Sequence, residues 1–144
     1  MTTAPTKPTT AFWIISVLAL LWNLMGVWAY IDHVTMTSET LLAKPIEEQA
    51  LYTNVPAWAT AAFAIAVWGS TLGSILLLVR KRWATPVFVI AFAGIIVQMV
   101  HQLFISKSIE VYGPGGAVMP VMIILIGAYL IWYSRNATAK GWLK

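Results

Sequence analysis

Long apolar stretches dominate the chain and are separated by shorter segments that hold most of its charged residues. We place four such stretches at residues 11–31, 57–79, 86–105 and 117–133. Each is within or close to the length that crosses a hydrocarbon core of about 30 Å as a helix rising about 1.5 Å per residue. The pattern therefore predicts an all-α integral membrane protein, in which a single domain forms a four-helix transmembrane bundle.

Three connections and two tails complete the predicted organisation. The connections are residues 32–56, 80–85 and 106–116, and the C-terminal tail is residues 134–144. The Thr- and Pro-rich start is interpreted as a short lead-in. We expect the apolar run after it to be a retained helix, because it is longer than the apolar core of a secretory signal.

The first connection is the longest and has a broken helical pattern. Thr37 or Ser38 is expected to cap a short helix, and Pro45 is expected to interrupt it. The pattern indicates a short amphipathic helix lying on the outer membrane surface in this connection, and a plain solvated loop is the open alternative.

Composition supports the assignment to a membrane and narrows the chemistry. Hydrophobic residues make up 60% of the chain and charged residues 10%, whereas soluble domains are about half apolar and about a quarter charged. The absence of cysteine excludes disulfide frameworks, zinc knuckles and iron–sulfur sites. The net charge of +4 comes from basic residues at the ends of spans, so we expect the lipid bilayer, and no nucleic acid, as a partner.

The basic residues are distributed unevenly between the two sides of the bundle. In a four-span protein both tails and the connection 80–85 share one side, which holds seven of the nine Lys and Arg residues, against Lys44 and Lys107 on the other. The positive-inside rule predicts that both termini are cytoplasmic, that is, N-in/C-in. Dual-topology multidrug exporters are excluded, because they need balanced charges and a carboxylate inside a span, and no acidic residue lies in one here.

Small residues recur at helical spacing in the second span. The stripe consists of Ala62, Ala66, Gly69, Ser70 and Gly73. Such a stripe lets a neighbouring helix backbone approach closely. We interpret it as a helix-packing surface, and we also consider it as a contact between copies in an oligomer.

Polar side chains inside the spans are the main candidates for function, because an unpaired polar group in hydrocarbon must face protein, water or ligand. Asn23 lies near the middle of the first span. Gln98, His101 and Gln102 are spaced i, i+3 and i+4 and so share one face in the outer half of the third span. Two interpretations stay open: amides that hold helices together, or a ligand site that includes an ionisable residue within a span.

The leading hypothesis is a bundle that binds or transports a small uncharged solute through an outward-facing polar and aromatic pocket. Aromatic side chains supply stacking surfaces around polar ligands. The predicted ligand-binding residues are Asn23, Gln98, His101, Gln102, Trp22, Trp58 and Tyr112. One chain of this length encloses little volume, so we expect a homo-oligomer or a larger membrane complex.

Two other classes of function are open. In the first, the protein is a non-catalytic accessory or scaffolding subunit whose polar residues only join helices. In the second, it binds haem or a quinone, with His33 and His101 as axial haem ligands. No CxxCH sequence, nucleophile elbow or phosphate loop is present, so we predict no resident cofactor, no metal site and no catalytic residue.

Four segments carry a resemblance to known proteins. They are residues 11–15, 21–27 and 55–67 and the sequence Glu110-Val111-Tyr112-Gly113-Pro114-Gly115. With them the chain resembles, over nearly its whole length, a family of small bacterial four-span proteins labelled hypothetical proteins or sugar transporters. The resemblance implies the bacterial inner membrane as the location, and it transfers no site residues.

Overall fold

The computed structural model describes residues 7–53, 55–105 and 113–144. In those ranges all regular secondary structure is helical. The helices are α1 (Thr10–Val34), α2 (Ser38–Leu42), α3 (Ile46–Thr53), α4 (Ala57–Leu78), α5 (Ala84–Val100) and α6 (Val118–Ala139). A π-helical turn, His101–Ile105, continues α5, and a 3-10 turn, Pro114–Ala117, precedes α6. Four of these segments are long and apolar enough to cross a membrane, which confirms the predicted all-α, four-span class.

Two spanning helices extend beyond the C-terminal ends of the apolar runs that predict them. The helix α1 continues past residue 31 to Val34, and α6 continues past residue 133 to Ala139. Hydroxyl groups bond to carbonyl oxygens one turn earlier near both ends, from Thr35 to Ile31 at 2.6 Å and from Thr138 to Ser134 at 2.8 Å. Hydropathy alone underestimates the lengths of these helices, because a helix can continue through polar residues whose side chains bond to its own backbone.

The first connection contains two short helices rather than one. The Thr37 hydroxyl accepts a hydrogen bond from the backbone N–H of Thr40 at the start of α2. The helix α2 ends before Pro45 and α3 begins directly after it, as expected for a residue that has no backbone N–H to donate.

The four long helices pack in the order of the chain, α1 against α4, α4 against α5, and α5 against α6. Glycines allow the close approach of α4 and α5. A Cβ added at Gly73 would lie 2.7 Å from the Phe88 ring, and one at Gly94 would lie 2.9 Å from the Ala62 carbonyl oxygen. The small-residue stripe therefore packs inside the chain. Its suggested role as a contact between copies is wrong, because α5 already covers this face.

Side chains close one end of the bundle, which we call the tail end because the start of α1 and the end of α6 lie there. A buried cluster of Phe12, Leu77, Phe88, Leu130 and Tyr133 fills it. The Phe12 ring stacks on the Tyr133 ring at 6.2 Å between centroids. The opposite end, where α1 and α5 finish and α4 and α6 begin, is called the open end below.

The last residues of the chain reinforce the tail end. Trp142 and Leu143 are buried in the same cluster. Arg80, in the turn after α4, donates from Nε to the Trp142 carbonyl oxygen at 2.9 Å and accepts at its own carbonyl from Lys144 N–H at 2.9 Å. These bonds hold Arg80 in the left-handed backbone region at φ 60°, which costs energy in a residue other than glycine.

Candidate functional site

A cavity of about 550 Å³ lies between the four long helices and extends from the open end past the middle of the bundle, as far as Phe88 and Leu130 of the tail-end cluster. Along α5 its lining runs from Phe88 to Gln102, which corresponds to about 20 Å of helix. Pockets that bind small molecules have volumes of about 300–1,000 Å³. The cavity is therefore large enough for one small ligand.

Five of the seven sequence-predicted site residues line this cavity. They are Trp22, Asn23, Gln98, His101 and Gln102. Trp58 is 47% exposed and does not line the cavity, but its ring packs edge-on against the His101 ring at 5.5 Å between centroids. Tyr112 lies outside the described residues.

The helix geometry changes at the predicted site. The α-helix of α5 ends at Val100, and His101 and Gln102 belong to the π-helical turn that follows. In spite of the wider turn, Gln98, His101 and Gln102 all face the cavity, as their spacing predicts.

The side chains of Gln98 and His101 are available to a ligand. Within the described residues, neither side chain forms a hydrogen bond to another residue. His101 is only 7% exposed. Polar groups this far inside a membrane protein are costly unless they find a partner, and the cavity is where a partner would bind.

Asn23 is different, because protein groups already occupy its amide donors. Its Nδ2 donates to the Ser74 hydroxyl at 2.6 Å and to the Ser70 carbonyl oxygen at 3.1 Å. The Ser74 hydroxyl donates in turn to the Ser70 carbonyl oxygen at 3.0 Å. Asn23 lies in the cavity wall, and its hydrogen bonds join α1 to α4.

The open end carries aromatic and ionisable residues in addition to the seven predicted ligand-binding residues. His33 packs against Tyr52 at 5.7 Å and against Phe63 at 5.8 Å between ring centroids. All three residues, with Asp32, line the cavity. The pattern of apolar and polar residues does not predict that Tyr52 lines the cavity. Tyr52 belongs to α3, in a connection whose packing against the bundle the pattern does not specify.

The charge of the lining is low. In the part of the chain that the structure describes, no Lys or Arg lines the cavity, and Asp32 is the one acidic residue that does. The same ranges contain no group of three or more His, Cys, Asp or Glu side chains that could hold a metal ion. The lining is therefore suited to hydrogen bonding and apolar contact rather than to an anion.

Comparison with protein-family models, with curated proteins and with solved structures finds no match for this chain. The cavity itself is therefore the basis for a proposed function.

Proposed function

We propose that the protein is a small membrane bundle that binds, and in an assembled form transports, a small uncharged solute in the cavity at its open end. The observation that carries the proposal is the convergence of Gln98 and His101 on a cavity of about 550 Å³ without a hydrogen-bond partner among the described residues. A residue that only joined helices would have its partner on another helix, as Asn23 does.

We further propose that both termini are cytoplasmic and that the cavity opens to the opposite side of a bacterial inner membrane. Seven of the nine Lys and Arg residues belong to the tail end or to the tails themselves. The positive-inside rule assigns the richer side to the cytoplasm. An outward opening makes a solute from outside the cell the natural ligand.

Two other functions are supported by particular features. The bonds of Asn23 to α4 are the kind that an accessory subunit would use to hold its own bundle together. His33 and His101 line the same cavity, which supports the haem and quinone hypothesis. Visible absorbance of the purified protein tests for haem, and a fixed protein partner after purification would favour the accessory subunit.

The proposal is tested by replacing the amides that face the cavity. The double variant Gln98→Leu/Gln102→Leu is expected to fold and to lose binding. If the double variant does not fold, Gln98→Leu alone serves as the test. It is expected to fold, because Gln98 has no described hydrogen bond to lose. The measurement is the melting temperature in mild detergent with neutral probes from glucose to 1-decanol, because a ligand that binds only the folded state stabilises it.

The matched control is Thr85→Val, which removes a polar group from the same helix at the tail end, where its hydroxyl donates to Ser134 Oγ at 2.9 Å. The control is expected to shift the melting temperature without changing the response to a probe. The proposal is overturned if no probe stabilises the wild type saturably, or if the Gln98 variants respond as the wild type does.

A further inference from the structure

The cavity changes in polarity with depth. Its polar lining residues concentrate at the open end, where His33, Tyr52, Thr60, Gln98 and His101 lie. The deeper lining is mostly apolar and includes Ala66, Val67, Ile95, Ile123, Ile126 and Leu130. The deep exceptions Asn23 and Ser70 hydrogen-bond to each other. A ligand that fills this space needs a polar group at one end and an apolar body.

One side of the cavity is open between α1 and α6. These two helices are at the edges of the packing order, and no extended interface joins them. They meet at the tail end, where Phe12 stacks on Tyr133. Met25 of α1 and Met119 of α6 line the cavity and are nevertheless 64% and 52% exposed. In a membrane this opening faces the apolar lipid tails.

The described residues at the polar end of the lining offer an anionic headgroup no Lys or Arg side chain. Within the described residues, no Lys or Arg lines the cavity, and Asp32 disfavours negative charge. The amide of Gln98 and the imidazole of His101 can donate to or accept from a neutral group. A hydroxyl, carbonyl or amide headgroup matches them.

We propose that the ligand is a neutral, single-chain amphiphile whose polar group binds Gln98 and His101 and whose apolar chain lies along α5 and α6. This inference deepens the proposed function and depends on it. A neutral amphiphile suits this lining better than a sugar does. A sugar carries hydroxyl groups over its whole surface, and those next to Ile95, Ile126 and Leu130 would have no hydrogen-bond partner.

The experiment is photolabelling in lipid nanodiscs with dodecanol that carries a diazirine at the end of its chain, followed by peptide mapping. We expect labels on the deep cavity lining, at Ile126 and Leu130. Excess decanol is expected to abolish these labels. Decanoate is expected to compete at least about tenfold less well, a difference of about 1.4 kcal/mol, because its carboxylate has no Lys or Arg partner among the described lining residues. Glucose is expected not to compete.

Two tryptophan substitutions give a matched pair on one helix. Ile126→Trp fills the deep cavity and is expected to abolish the deep labels and decanol competition. Leu125→Trp places the same side chain on a surface that is 63% exposed and is expected to change neither. Melting temperatures of the two variants check that both are folded.

The possible outcomes distinguish failure of the amphiphile proposal from failure of the proposed solute site. Labels restricted to outward-facing residues such as Leu125, with glucose stabilising the wild type through Gln98, would overturn the amphiphile and leave the proposed solute site intact. Decanoate competing as well as decanol would overturn the neutral headgroup. Displacement of the probe by bilayer phospholipid alone would assign the cavity to membrane lipid instead. Failure of every probe to bind would overturn both proposals.

Discussion

Single polar residues inside the bundle have two kinds of surroundings, and these indicate two kinds of role. Asn23 bonds to Ser70 and Ser74 across the α1–α4 contact. Gln98 faces the cavity and bonds to no described residue. Both are amides in apolar helices, and only the three-dimensional arrangement separates packing from ligand recognition.

Substitution of Asn23 tests the packing role. Asn23→Ala is expected to lower the free energy of unfolding, because it removes interhelical bonds that contribute about 0.6 kcal/mol on average and about 1.7 kcal/mol at most in membrane proteins. The matched control is Ser16→Ala on the same face of α1. The Ser16 hydroxyl is fully buried and has no partner in the described structure, so its removal is expected to be neutral or stabilising.

Reversible unfolding in mixed micelles measures both variants. If Ser16→Ala lowered the free energy of unfolding as much as Asn23→Ala does, the result would contradict the role assigned to the Asn23 bonds.

At the scale of the elements, the close contact between α4 and α5 depends on glycine. A Cβ at Gly94 would lie 2.9 Å from the Ala62 carbonyl oxygen and 3.0 Å from the Ala66 backbone nitrogen. These are backbone atoms of a packed helix and cannot turn aside as a side chain can. The two helices would have to separate.

Gly94→Ala is therefore expected to destabilise the protein. Overpacking costs about 1–3 kcal/mol, which outweighs the gain of about 0.5–1 kcal/mol in helix propensity. Gly115→Ala is the control, because nothing lies within 4 Å of the added Cβ. Melting temperatures in one detergent measure both variants, and equal values would show that α4 and α5 are not packed this closely.

Much of the element structure follows from the sequence, for physical reasons that also set its limits. Apolar length identifies the four spans, and i, i+3, i+4 spacing puts Gln98, His101 and Gln102 on one face. Hydropathy cannot show that residues 134–139 continue α6, where the Ser134 and Thr138 hydroxyls bond to carbonyl oxygens of their own helix. No local pattern identifies the π-helical turn. Nor does one bring Tyr52 to the cavity, since its position there depends on contacts between distant segments such as that with His33.

The whole molecule is an asymmetric bundle, packed with aromatic side chains at the tail end and hollow at the open end. Its orientation in the membrane determines which compartment the cavity serves. Because the chain contains no cysteine, a single introduced cysteine can report the side of the membrane on which it lies. Ser38→Cys reports the open end and Ala139→Cys the tail end, and both residues are exposed.

With both termini cytoplasmic, a membrane-impermeant maleimide is expected to label Ser38→Cys in intact cells and Ala139→Cys only after lysis. The opposite pattern would place the cavity opening on the cytoplasmic side. It would leave the cavity intact and contradict the charge-based orientation.

We propose that the open-end cavity is a ligand site and not a packing defect. Native mass spectrometry of the wild type and of Gln98→Leu/Gln102→Leu, each released from mild detergent with and without added decanol, tests it most directly. We expect a saturable small-molecule adduct on the wild type that the double variant lacks. Equal adducts on both proteins, or none on either, would contradict it.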